Sequence, residues 1–172
     1  DPMFTQIISR LSRYTLATAV CARITAEHLS RPNLDEIYML GLMHDIGKSL
    51  VLQILINLSK IRTDLTETAI FDTLDKLYIE FGVALLAHWN FSENYQYIIR
   101  WHNDLAGADS INKELLIINF SNHIAGNIER GQQTTETTAY QEIESANLLG
   151  LNQESIATIT AKTQASLGDP VP

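Results

Sequence analysis

The sequence contains one cysteine, Cys21, so no disulfide can form within the chain. Cys21 falls on an apolar helical face, where a small buried hydrophobe is expected rather than a reactive thiol. A reducing, cytoplasmic setting follows as the expectation. Long apolar runs are also missing. The longest, Ile37 to Met43, falls well short of the roughly 18 residues a membrane crossing needs, and no membrane partner is expected. The chain does not open on a basic region followed by an apolar stretch, so no signal peptide is read. Asp1-Pro2-Met3 reads as a cloning scar or the cut edge of a longer protein. The twelve Lys and Arg residues are scattered, and the formal net charge is −8. Nucleic-acid binders rely on clustered Lys and Arg to neutralise phosphates, so nucleic acid is not an expected partner. No strand-like alternation, internal repeat or second domain is visible.

What is present is helical periodicity in a chain of 172 residues, 45% of them hydrophobic. That is enough for one domain, residues 1–172, with a sizeable core. Phe4, Ile7, Ile8, Leu11, Tyr14, Cys21 and Ile24 recur at helical spacing and predict a first helix ending near Leu29. Arg31-Pro32 breaks it. Asn33 with Glu36 resembles a capping box for a second, centrally buried helix, and Gly47 suits that helix's C-terminal end. Ser49 to Leu58 continues as another apolar helix. Thr63, Asp64 and Thr66 offer caps for a helix carrying Leu74, Tyr78, Phe81 and Leu85 and reaching about Trp89. Ser92 opens a short helix whose inner face is Tyr95, Ile98, Ile99 and His102. A long helix from about Ser110 carries Leu115, Ile118, Asn122 and Ala125 and ends at Gly131. Gln132 to Thr138 reads as an exposed loop, Tyr140 to Leu148 as a helix, and Asn152 as the cap of a last helix stapled by Leu151 and Ile156. The tail 168–172 is expected to fray. The fold class is all-α, a compact bundle of about seven or eight helices.

One segment carries chemistry: Leu40-Gly41-Leu42-Met43-His44-Asp45-Ile46-Gly47-Lys48. Burying an imidazole beside a carboxylate is costly unless both are hydrogen-bonded or share a metal. A divalent ion needs about four to six ligands, so the pair would need partners from other helices.

"LGLMHDIGK" resembles the HD-superfamily signature. "RYTLATAVCARITAE" resembles the family's first-helix motif. "LYIEFGVALLAHWNFSENYQYIIRWHND" is similar to the HDOD pattern of a Gly-containing apolar helix, a Trp and an Ile-rich helix ending in paired histidines. "IINFSNHIAG" resembles the helix with the family's last aspartate, and "LLGLNQESIATI" the HDOD C-terminal helix. The resemblance runs from about Arg13 to about Leu167 and implies an HD-domain-like bundle. HDOD proteins usually carry a further helical lobe ahead of this part; without it, the chain reads as a fragment or a shorter relative.

The resemblance implies a metal site built from a first-helix His, the His-Asp pair, intermediate histidines and a late Asp. Carried onto this chain, those positions are Tyr14, His44 with Asp45, Tyr78, His102 with Asn103, and Asn122. The pair and His102 survive, while Tyr14, Tyr78, Asn103 and Asn122 replace ligands. A phenol with a pKa of about 10 is a poor substitute for imidazole, and Asn removes a negative charge. Without an ion nothing lowers a water's pKa toward about 7. His44-Asp45 is therefore expected to be a hydrogen-bonded pair fixing a helix end, and His102 a satisfied core histidine paired with Asp45 or a phenol. Asn122 is expected to hydrogen-bond in the core. His123 points about 100° away from it and is a poor substitute ligand. His28 and His88 match no ligand position, and Lys48 reads as a solvated helix-end lysine. No Tyr-Pro accompanies Gly107, which argues against the cyclic-dinucleotide phosphodiesterases of the superfamily.

The resulting expectation is a non-catalytic, HDOD-like bacterial signal-transduction module acting through contacts with signalling proteins, with a homo-oligomer open. No catalytic, metal or cofactor residue is expected to function; His44, Asp45, His102, Asn122, Tyr14 and Tyr78 form a vestigial pocket. The alternatives are a metal-dependent phosphohydrolase with an altered ligand set, using Fe, Mn, Ni or Zn with His44 and Asp45, and a nucleotide-binding sensor.

Overall fold

The structure is a computed structural model that describes residues 2–61, 64–131 and 143–168. Its described residues form eight helices and no strand, the all-α bundle expected: α1 Pro2–His28, α2 Leu34–Met43, α3 Ile46–Ser59, α4 Glu67–His88, α5 Glu93–Trp101, α6 Lys113–Glu129, α7 Glu144–Leu148 and α8 Gln153–Leu167.

α1 is the organising element. At 27 residues it is about 40 Å long. Its second half buries Ala17, Ala19, Cys21, Ala22 and Ala26, small side chains that let neighbouring helices come close. α2, α6 and α8 pack against it, while α3 and α5 both pack against α4. Three apolar clusters result. Phe4, Ile7, Val51, Leu55, Ile70 and Leu74 join the start of α1 to α3 and α4. Ala22, Ile37, Leu40, Ile98, Leu115 and Ile118 join α1, α2, α5 and α6. Cys21, Phe120, Ala146, Ile156 and Ile159 join α1 and α6 to the last two helices.

Several local expectations change. Gly47 does not terminate α2; it lies in the first turn of α3. A Cβ there would fall 1.8 Å from the Tyr78 carbonyl oxygen, so its role is close approach of α3 to α4. Asn33 does not cap α2 through its side chain, which instead donates to Glu36 Oε2 at 3.2 Å. α6 begins at Lys113 because Asn112 accepts from the Leu115 amide at 2.8 Å. Of the caps offered to α4, Thr66 is used, accepting from Ala69 N, whereas Thr63 lies outside the described residues. Asn152 caps α8 as expected. The loop read at Gln132 to Thr138, the residues Tyr140 to Glu142 and most of the tail also lie outside the described residues.

Averaged over a window, Leu34–Ser59 has a mean hydropathy of 1.4 and by length and composition could cross a membrane. In this fold that stretch is two helices, α2 and α3, interrupted at His44-Asp45, and 44% of its window is buried inside the bundle.

Candidate functional site

α2 and α3 are joined by only His44 and Asp45. Asp45 leaves helical geometry, at φ −112° and ψ 18°. This break lets two adjacent side chains face the same interior point, which a continuous helix would not allow. His102 occupies the equivalent position after α5. The two imidazoles are fixed by the same local device. His44 Nδ1 donates to the Gly41 carbonyl at 2.7 Å, and His102 Nδ1 donates to the Ile99 carbonyl at 2.8 Å. A carbonyl only accepts, so each Nδ1 carries a proton and each Nε2 is the ring atom left to face the interior. Asn119 adds a restraint by donating to the His102 carbonyl at 2.7 Å.

Both Nε2 atoms face Asp45. His44 Nε2 lies 3.4 Å from Oδ2 and His102 Nε2 lies 3.5 Å from Oδ1. These separations are too long for good N–H···O hydrogen bonds. His44 Nε2, His102 Nε2 and Asp45 Oδ1 are in fact buried without a hydrogen-bond partner. His44 and Asp45 are each hydrogen-bonded within the protein, to the Gly41 carbonyl and the Lys48 ammonium, while the contact between them is long. The ring nitrogens are saturated on their outer sides and open toward a shared centre.

The electrostatics follow from burial. Burial alone would raise the Asp45 pKa, but the facing His44 and His102 and the nearby Lys48 ammonium outweigh it and hold the carboxyl well below its ordinary range. Burial lowers the His102 pKa. Burial, with the Asp45 charge adding, pushes the Tyr14 phenol far above its usual value and the Tyr78 phenol up to about 12. Both hydroxyls therefore stay protonated at neutral pH.

The substituted positions form a relay of their own. Tyr14 donates to Asn122 Oδ1 at 2.5 Å, Asn122 Nδ2 to Asn103 Oδ1 at 2.7 Å, and Asn103 Nδ2 to the Tyr78 hydroxyl at 2.6 Å. Four helical segments, α1, α6, the end of α5 and α4, are tied together by three side-chain hydrogen bonds. Lys48 differs most from expectation. It is not a solvated helix-end lysine: its side chain is 17% exposed and its ammonium donates to Asp45 Oδ2 at 2.6 Å. The i, i+3 spacing of Asp45 and Lys48 carried that signal in the sequence. Asn119 had no comparable signal. His28 meets Ser155 at 3.1 Å, His88 ends α4, and His123 lines a separate cavity with Asp104 and Glu144. None of the three joins the cluster.

The donor set fits one dication. Ligand atoms from His44, Asp45 and His102 all lie within 4.8 Å of one another. Two imidazoles with outer Nδ1–H bonds and one carboxylate make a recognised three-ligand arrangement for a borderline metal. The set does not extend to a second ion, because Tyr14 and Tyr78 are neutral phenols engaged with amides.

Two solved structures from Shewanella amazonensis SB2B share the fold. One bears the provisional name phosphohydrolase, is 19% identical, has a TM-score of 0.66, and is matched over 91% of this chain and 60% of its own. The other, provisionally named a metal-dependent phosphohydrolase, is also 19% identical, with a TM-score of 0.62 over 95% of this chain and 62% of its own. The chain thus spans less than two thirds of either. No curated protein matches it. The HDOD domain family model matches residues 4–105, from the start of α1 through the His102 turn, and on that match the chain belongs to the HDOD family.

Proposed function

We propose that this chain is a regulatory HDOD module of a bacterial cytoplasmic signalling pathway, acting through protein contacts and hydrolysing no substrate. The observation that supports this reading is the Tyr14–Asn122–Asn103–Tyr78 relay. It commits to core hydrogen bonds the positions at which a hydrolytic site would need further ligands. Asp45, the carboxylate nearest those positions, is already paired with Lys48.

His44, Asp45 and His102 would hold a single ion, which when bound polarises a phosphoryl oxygen or acidifies a water. Three unpartnered buried atoms favour that as a second reading, a metal-dependent phosphohydrolase with a reduced ligand set. The residues would orient the ion through the Gly41 and Ile99 carbonyls acting on the imidazoles.

The test is hydrolysis of phosphomonoesters and nucleotides by protein supplied in turn with Mn, Fe, Ni and Zn. No turnover above a His44→Ala control is expected. Turnover that needs metal and is lost in that control would overturn the regulatory reading.

A further inference from the structure

We infer that Lys48 is a tethered cation of this site that competes with any dication for Asp45. This goes beyond the regulatory reading and does not depend on whether the chain hydrolyses a substrate.

The Lys48 ammonium sits 2.6 Å from Asp45 Oδ2. It also lies 4.6 Å from the centre of the Tyr78 ring and 5.8 Å from that of Tyr14. Aromatic faces attract a partly desolvated ammonium at this range. The rings come from α4 and α1, and the relay fixes both. Tyr14 and Tyr78 therefore do more than remove two ligands. An imidazole offers a metal a lone pair; the phenol rings offer a monovalent cation their faces. The pocket has been rebuilt around a charge that the chain itself supplies.

A dication held by His44, His102 and Asp45 would sit about 2 Å from its carboxylate oxygen. The ammonium, bound to the same carboxylate, would then lie within a few ångströms of a double positive charge in a region that water screens poorly. A dication taking the unpartnered Oδ1 would put a second cation on a carboxylate whose Oδ2 already holds the ammonium, so each weakens the other's hold. Space exists for the lysine to leave. Lys48 lines a cavity of about 340 Å³ between α1 and α3, with Leu11, Thr15 and Leu52. It also lines one of about 170 Å³ with Asp75 and with Glu129, the latter paired with Arg10 at 2.6 Å. The smaller cavity offers a displaced ammonium a carboxylate other than Asp45.

Titration calorimetry with Zn²⁺ and with Mn²⁺ tests this on the chelator-stripped chain and on Lys48→Met. Lys48→Met should bind one ion per chain about tenfold or more tightly than the parent, the scale of removing a like charge a few ångströms away. Adding His44→Ala to Lys48→Met should abolish the gain. Equal or weaker binding by a folded Lys48→Met would overturn the inference. If Lys48→Met does not fold, Lys48→Gln and the lysine side-chain ¹⁵N resonances of the parent chain serve instead. The Lys48 ammonium signal should shift as saturating Zn²⁺ loads the parent, and an unmoved signal in loaded protein would overturn the inference as well.

Discussion

His102 is entirely buried, with its Nδ1 committed to the Ile99 carbonyl and its backbone carbonyl to Asn119. Burial lowers its pKa, and the direction sets the sign of a pH dependence. Above about pH 6.5 the folded and unfolded chains both carry a neutral imidazole. Below it the unfolded chain takes up a proton that the folded chain refuses until a lower pH. Stability is thus present at neutral pH and lost on acidification. Asp45 acts in the same direction further down. Its depressed carboxyl contributes above about pH 4 and loses that contribution as the pH falls toward the folded value. Urea unfolding in chelator should therefore show stability falling from pH 7.5 to 5.5, with His102 contributing at most about 1.4 kcal/mol per pH unit. His102→Gln should flatten that slope, and an unchanged slope would reject the assignment.

The site is held together by helices that touch at glycine. A Cβ on Gly47 would fall 1.8 Å from the Tyr78 carbonyl oxygen, and one on Gly41 would fall 2.5 Å from the Ala19 Cα. Both obstacles are backbone, which no rotamer change can move. Gly47→Ala must push α3 away from α4 and so separate Asp45 and Lys48 from Tyr78. We expect it to cost about 3 kcal/mol or more, at the upper end of overpacking effects. Gly150 provides the contrast. It has φ 72° and open space where a methyl group would go, so Gly150→Ala should meet only backbone strain of about 1 kcal/mol. Equal denaturation midpoints for the two variants would refute the packing role. The same comparison explains what could be read from sequence. Asn152 and Gly131 act on their own helix ends, and local pattern located both. Gly47 looks like a helix terminator until α4, some thirty residues on, is placed against it. Periodicity likewise puts Tyr14, Tyr78, His102 and Asn122 on inward faces. It gives no distances, so neither the relay through Asn103 nor the enclosure of Lys48 was legible.

The whole molecule does not depend on an ion to close. Its three apolar clusters among the described residues are built from side chains other than the polar residues of the site. Two features of the site itself also reduce its need for metal. The relay gives both phenols and both amides hydrogen-bond partners, and Lys48 supplies a positive charge to the buried Asp45 carboxylate. Domains that fold around a structural zinc behave differently, because metal binding there is the folding free energy. Here a bound ion would add only the mass-action term set by its concentration relative to Kd. If Lys48 keeps that affinity weak, removing trace metal changes little. The melting temperature of the purified chain at pH 7.5 should therefore move by less than about 2 °C on adding EDTA, an interval that corresponds to about 0.5–1 kcal/mol for a domain of this size. In Lys48→Met loaded with Zn²⁺ the same treatment should produce a clear drop, because the ion now binds the folded state tightly. A large EDTA-induced drop in the parent chain would mean that the ion, and not the lysine, balances Asp45.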